Sequence, residues 1–317
     1  MLTLSDGTRC PRVGFGTYQR KDVYDVETAV LSALAMGYRS IDCASYYKNE
    51  AEVGRAIAAS GVPREELYIT SKVWNDYQGA DRCLESFRRS LEALGCGYLD
   101  TYLVHWPVEG VHAETYVALQ VSMVLLLVLL LVLLRMLVLT SQLQGLVASG
   151  EVKSLGLSNY TIEAYEELVA APGFAVAPVS NQLEVNVCLF RAKTIEYFQG
   201  KGVAITAYKP FGGDAALLGH ETVVRIGAAH GCSAAQVAIR FLAQQDIAVI
   251  PKSKSEERMK ANLDAAAPEV LMLTAEEMAE LKGLTDEGAE AAYAAHFASR
   301  RNQHYPADAE QFDSWAV

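Results

Sequence analysis

The chain alternates between short runs that are apolar at nearly every position and longer stretches in which apolar residues recur every three or four places. Eight runs of the first kind stand out: VGFGT, RSIDCA, LYITSKV, TYLVHW, KSLGLSN, VSNQLEV, AITAYK and AVIPKS. A run without polar alternation is what a strand covered on both faces looks like. The segments between them carry helix signals. VETAVLSALAMG ends on a glycine stop, NEAEVGRAIAASG and SAAQVAIRFLAQQ have helical spacing, and TAEEMAELKGL opens on a Thr-x-x-Glu capping box. Strands alternating with helices in this way predict an α/β fold, a closed (β/α)8 TIM barrel. A doubly wound open sheet is the alternative, and the missing G-x-G-x-x-G turn weighs against it: GFGTYQ has two glycines and stops. No linker or internal repeat splits residues 1–317, so a single domain is expected.

Composition narrows the function classes. A length of 317 residues suits one α/β barrel, and a net charge of -11 with no block of like charges argues against a nucleic-acid surface. Cys10, Cys43, Cys83, Cys96, Cys188 and Cys232 are scattered with no C-x-x-C pair, which suggests neither a disulfide framework nor a zinc site and suits a reducing cytoplasm. The opening MLTLSDGTRC has no basic segment followed by an apolar one, so the mature protein is read as beginning here. A cytoplasmic monomer acting on a small molecule, with no metal, is the expectation.

In a barrel the chemistry sits at the C-terminal ends of the strands. Asp42, Lys72 and His105 each lie at or near the end of an apolar run, and Tyr47 follows shortly after Asp42. Singly, such a lysine is usually solvated and such a histidine a packed, hydrogen-bonded one. Together they suggest acid catalysis. A tyrosine hydroxyl has a reference pKa of about 10, and a neighbouring ammonium favours the phenolate and lowers it. Lys72 would do this, Asp42 would hold the ammonium, and His105 would orient a carbonyl that Tyr47 protonates.

The motifs GYRSIDCASYYKNE, YITSKVW, YLVHWP, LGLSNY, NQLEVN, AYKPFG and IPKSKSEERMKANL run in register from about Gly14 to Asn262, and in this the chain resembles the aldo-keto reductases. The resemblance implies a (β/α)8 barrel that reduces carbonyls with NADPH, with Asp42, Tyr47, Lys72 and His105 as catalytic tetrad. It also implies that Ser158, Asn159 and Gln182 hold the nicotinamide carboxamide and that Tyr208 stacks on the ring. Lys252, Ser253 and Arg258 match the 2'-phosphate clamp, where a point charge, a hydroxyl and a forked guanidinium suit a dianion, so NADP is expected over NAD. Thr17, Lys209 and Asn262 join the cofactor set. Tyr18, Trp74 and Trp106 would wall the substrate pocket.

The chain departs from the family at several points. Lys209 and Phe211 replace the usual Ser and Leu of the seventh motif, Ala261 stands where a Glu is common, and NQLEVNVCLF lacks the usual Tyr-His-Pro. The tail NQHYPADAEQFDSWAV resembles the family's variable C-terminal loop. The chemistry is expected to be NADPH-dependent reduction of an aldehyde or ketone; the alternative is an NADPH-binding accessory module that senses redox state for a partner.

Residues 121–144 are almost wholly leucine and valine, and deleting them restores the family's helix after the fourth strand without a gap. As a membrane span the segment falls short: residues 123–134 are apolar without interruption, but Arg135 follows, and a span needs about 20 apolar residues. As a continued helix it would add about 36 Å and turn the downstream face by about 240°. It lacks the Gly, Pro, Asn or Asp to double back. The favoured reading is a translated, unspliced intron, since Gln-Val-Ser at 120–122 and Leu-Gln-Gly at 143–145 can encode splice junctions.

Overall fold

The structure, a computed structural model, describes residues 1–18, 25–120, 151–212 and 216–285, with Gly288, Ala294 and Ala295. The apolar segment 121–144 and the C-terminal stretch 302–317 lie outside the described residues.

The chain starts with an antiparallel hairpin, β1 (Leu2–Thr3) and β2 (Arg9–Cys10), which turns through Gly7 at φ 86°. Eight parallel strands follow: β3 (Phe15–Gly16), β4 (Ser40–Asp42), β5 (Tyr68–Val73), β6 (Leu99–Val104), β7 (Val152–Ser158), β8 (Ser180–Glu184), β9 (Ala204–Tyr208) and β10 (Ala248–Val249). They correspond to the eight apolar runs. Each pairs with its neighbour in chain order, and the two edges of the sheet approach each other. Val13 bridges Val249 in parallel, Gly14 N donates to Val249 O at 2.9 Å, and Val249 N donates to Arg12 O at 2.8 Å. This is an α/β barrel. A doubly wound sheet would need a reversal of strand order, and none occurs among the described residues. All six residues of β5 and of β6 are buried, which explains why these runs carry no alternation.

The helices between strands are α1 (Val26–Ala35), α2 (Glu50–Ser60), α3 (Ala80–Leu94), α4 over residues 112–120, α5 (Ile162–Val169), α6 (Ala192–Gly200), α7 (Glu221–Ala229), α8 (Ala234–Ala243), α9 (Glu256–Asp264) and α10 (Ala275–Lys282). Helices α1, α5, α7, α8, α9 and α10 start on a side-chain cap. The capping boxes Ser233/Gln236 and Thr274/Glu277 open α8 and α10, each cap contributing about 1 kcal/mol. Helices α2 and α3 pack so closely that a Cβ on Gly54 would lie 2.5 Å from Leu94 O. The hairpin plugs the end of the barrel at which the strands begin: Leu4 and Cys10 form a buried cluster with Tyr68 and Val179. The opposite end is thereby left for the polar residues.

None of the six cysteines forms a disulfide. Among the described residues no helix is long and apolar enough to cross a membrane, and no group of His, Cys, Asp and Glu is arranged to hold a metal.

Candidate active site

Asp42 ends β4, Lys72 lies near the end of β5, and His105 directly follows β6, so parallel register brings all three to one mouth of the barrel. Tyr47 comes from the next turn. Ser45–Tyr47 form one 3-10 turn, Ser45 Oγ donates to Lys72 O at 3.0 Å, and Lys48 closes the turn in the left-handed region at φ 53°.

Lys72 is without solvent exposure, and its ammonium is shared among three oxygens. It donates to Asp42 Oδ1 at 2.6 Å, to Cys43 O at 2.6 Å and to the Tyr47 hydroxyl at 3.3 Å. Gln182 Nε2 donates to Asp42 Oδ2 at 2.6 Å, so both carboxylate oxygens are held. The His105 ring stands edge-on to Tyr47, with centroids 5.9 Å apart, and its Nδ1 is buried without a hydrogen-bond partner among the described residues. The sequence-predicted tetrad is thus one cluster.

The electrostatics differ from the sequence expectation in one respect. Burial pushes the Tyr47 phenol well above its usual value, and the Asp42 carboxylate adds to the rise. Lys72 does not win this contest because Asp42 pairs it, leaving the phenol beside an ion pair rather than a bare cation. Tyr47 therefore holds its proton at neutral pH. His105 is driven the other way: burial, then the Lys72 charge, hold it well below the ordinary histidine range, so the ring is neutral.

The proposed carboxamide holders stand at neighbouring strand ends. Asn159, left-handed at φ 61°, donates through Nδ2 to His105 O at 3.0 Å and to Ser158 Oγ at 3.1 Å, while the Tyr208 hydroxyl donates to its Oδ1 at 2.7 Å. Gln182 points instead to Asp42. Thr17 is fully buried, and its hydroxyl donates to Asp42 O at 2.9 Å. Lys209, also left-handed at φ 48°, pairs with Glu184 across the ends of β9 and β8 at 3.0 Å.

Lys252 and Ser253 lie between β10 and α9, Arg258 is in the first turn of α9, and Asn262 is buried on that helix. The α9 N-terminus is capped by Ser255, which accepts from Arg258 N at 3.4 Å. Two cations, a hydroxyl and a helix start fit the charge of a nucleotide phosphate. The Lys252 ammonium sits 5.4 Å from the Tyr18 ring centroid, and Tyr18 packs on Tyr47 with centroids 5.0 Å apart, so the loop that carries Lys252 reaches the tetrad through one aromatic ring.

The residues expected to wall a substrate pocket are aromatic and lie beside the tetrad. Trp74 lies edge-on to His105 at 5.0 Å, and Trp106 is held through its carbonyl, which accepts from Gln78 Nε2 at 2.7 Å. Sequence reasoning missed Tyr46, which stacks on Trp74 at 3.7 Å and 21°. The doubled tyrosine in ASYYKNE was the available signal. It also missed Gln78, buried beneath the Trp106 loop, for which no signal exists.

A sequence model described as the Aldo/keto reductase family matches residues 12–286. The chain belongs to the aldo-keto reductase family. It is 35% identical over 288 residues to an aldo-keto reductase of Mycobacterium sp. (strain KMS), covering 90% of this chain and 93% of that protein. Among solved structures it is similar to an aldo-keto reductase from a Medee basin deep-sea metagenome library, with TM-score 0.76, 33% identity and coverage of 90% and 95%. It is also similar to the Bombyx mori aldo-keto reductase in complex with NADP, with TM-score 0.74, 29% identity and coverage of 90% and 92%. This aldo-keto reductase is thus an oxidoreductase of a family whose general chemistry is nicotinamide-dependent carbonyl reduction.

Proposed function

We propose that this aldo-keto reductase reduces an aldehyde or ketone to the alcohol with NADPH, with Tyr47 as proton donor. The observation that carries the reading is the shared ammonium: Lys72 Nζ touches both Asp42 and the Tyr47 hydroxyl in a site that keeps the phenol protonated. NADPH, when bound, supplies the hydride. Tyr47 gives its phenolic proton to the carbonyl oxygen, and the charge left on Tyr47 faces the Lys72 ammonium, which steadies it until solvent returns a proton. Neutral His105 steers the carbonyl oxygen toward Tyr47. Ser158, Asn159 and Tyr208 present amide and hydroxyl groups for the carboxamide, and Lys252, Ser253 and Arg258 supply the charge for the 2'-phosphate. Thr17, Gln182, Lys209 and Asn262 complete this lining, and Tyr18, Trp74 and Trp106 shape the substrate side.

The direct test is NADPH oxidation followed by absorbance against a panel of small aldehydes and ketones. Turnover lost in Tyr47→Phe supports the reading. NADPH binding without turnover on any carbonyl overturns it.

A further inference from the structure

The tetrad leaves the buried carboxylate of Glu50 unused. Glu50 begins α2, three residues after Tyr47, with only 8% of its surface exposed. Its Oε1 accepts from Ser71 Oγ on β5 at 2.5 Å, and its Oε2 accepts from Ser90 Oγ on α3 at 3.1 Å. Ser71 immediately precedes Lys72, and Ser71 and Ser90 are themselves buried. The preceding residue is anchored too: Asn49 Nδ2 donates to Thr17 O at 2.9 Å. The turn carrying Tyr47 is therefore fastened at three points, by Ser45 to β5, by Asn49 to the exit of β3, and by Glu50 to both β5 and α3.

A carboxylate is costly to bury, and an apolar residue opening α2 would avoid that cost. Burial pushes the Glu50 carboxyl up, while the two serine hydroxyls and the Lys72 charge pull it back. The arrangement is thus specific to an acceptor that spans two hydroxyls and lies behind the strand bearing Lys72.

We infer that Glu50 is a positioning residue: by bridging Ser71 and Ser90 it locks the Ser45–Tyr47 turn against β5 and sets the distance between the Tyr47 hydroxyl and Lys72 Nζ. It touches no substrate. Loss of the bridge lets the turn drift, and a displacement near 1 Å at the reacting atoms lowers turnover by as much as about 100-fold without weakening binding. The inference rests on the carbonyl-reductase reading, which the wild-type enzyme tests separately.

The experiment compares wild type with Glu50→Ala, Glu50→Asp and Glu50→Gln in the full chain. In Glu50→Ala, kcat should fall about 10- to 100-fold while substrate KM and NADPH Kd stay within about twofold. Glu50→Gln spans both serines and should recover most of the activity. Glu50→Asp keeps the charge but is one methylene short, so it should show the same split as Glu50→Ala, and it decides the matter if Glu50→Ala does not fold. A crystal structure of the impaired variant without cofactor should show the Tyr47 hydroxyl moved away from Lys72. Wild-type kcat in Glu50→Asp, or NADPH affinity and kcat falling in parallel, overturns the inference. Absence of turnover in the wild type with every carbonyl overturns the underlying reading instead, and the position of Tyr47 in the variant crystal then decides the positioning role alone.

Discussion

The Lys72 ammonium and the Asp42 carboxylate meet at 2.6 Å with 0% and 5% of their side-chain surfaces exposed. Such a pair stabilises little net, because removing two charges from water offsets their attraction, but breaking it leaves a buried charge and costs about 3 to 5 kcal/mol. Asp42→Ala should therefore lower stability by roughly that amount, read as a shift in the urea midpoint. Asp42→Asn, which still accepts a hydrogen bond from Lys72, should lose less. An unchanged midpoint in Asp42→Ala would show that water reaches Lys72.

Tyr47→Phe removes the proposed proton donor and no contact proposed for the cofactor. Carbonyl reduction should fall by at least about 100-fold, with NADPH Kd from fluorescence titration within about twofold of wild type. Lys72→Met should lower kcat comparably. Wild-type turnover in Tyr47→Phe sinks the assignment of the acid.

The directions of the Tyr47 and His105 shifts make opposite pH statements. The phenol is raised, so the acid stays protonated through neutral pH and the rate of reduction should be flat there, while alcohol oxidation, which needs the phenolate, should rise as the medium becomes alkaline. His105 is depressed in the folded protein, against an unfolded value near 6.5. Below that value the unfolded chain binds the extra proton, so the contribution is full above about pH 6.5 and is lost as pH falls, by up to about 1.4 kcal/mol per pH unit. His105→Gln should flatten the acid limb of urea stability measured between about pH 5 and 7. Parallel curves for the two proteins would mean that His105 is solvated.

How far the site was legible depended on which physical signal each residue leaves. Barrel strands are buried on both faces, so eight apolar runs announced eight strands, and their ends pointed to Asp42, Lys72 and His105. The hairpin at residues 2–10 escaped because its strands are two residues long, although the Asp6-Gly7 turn was a usable cue. Glu50 escaped for a different reason. A glutamate in the first turn of a helix reads as a solvated partner of the helix dipole, and only tertiary packing shows that two serines enclose it. The direction of the Tyr47 shift was also hidden, since sequence reveals the nearby cation but not that Asp42 already pairs it.

Arg258 is exposed in the first turn of α9, beside the loop that carries Lys252 and Ser253. Only NADPH has the 2'-phosphate, so Arg258→Met should weaken NADPH by about 2 to 3 kcal/mol if its guanidinium makes a charge-assisted contact, and NADH by far less. Titrations of both cofactors check this. Equal losses would remove Arg258 from the phosphate clamp.

The final prediction concerns residues 121–144. On its N-terminal side the chain is firmly docked: Gln120 is 2% exposed, its Oε1 accepts from Ala175 N at 3.0 Å and Val176 N at 3.1 Å, and its Nε2 donates to Gly173 O. Tyr116 adds a hydrogen bond from its hydroxyl to Val176 O at 3.1 Å. On the far side Leu99 N donates to Glu151 O at 2.8 Å, so the chain is already paired to β6 at residue 151, just before β7. These anchors lie outside the apolar run, and none belongs to the mouth that holds Asp42, Tyr47, Lys72 and His105. A protein lacking residues 121–144 should therefore fold, keep at least the activity of the full chain and be more soluble, because an apolar stretch with no polar face is gone. Soluble yield, urea midpoint and NADPH turnover measure the three parts. Loss of folding on deletion would make the segment part of the barrel's support, and mature messages that all retain it would end the intron reading.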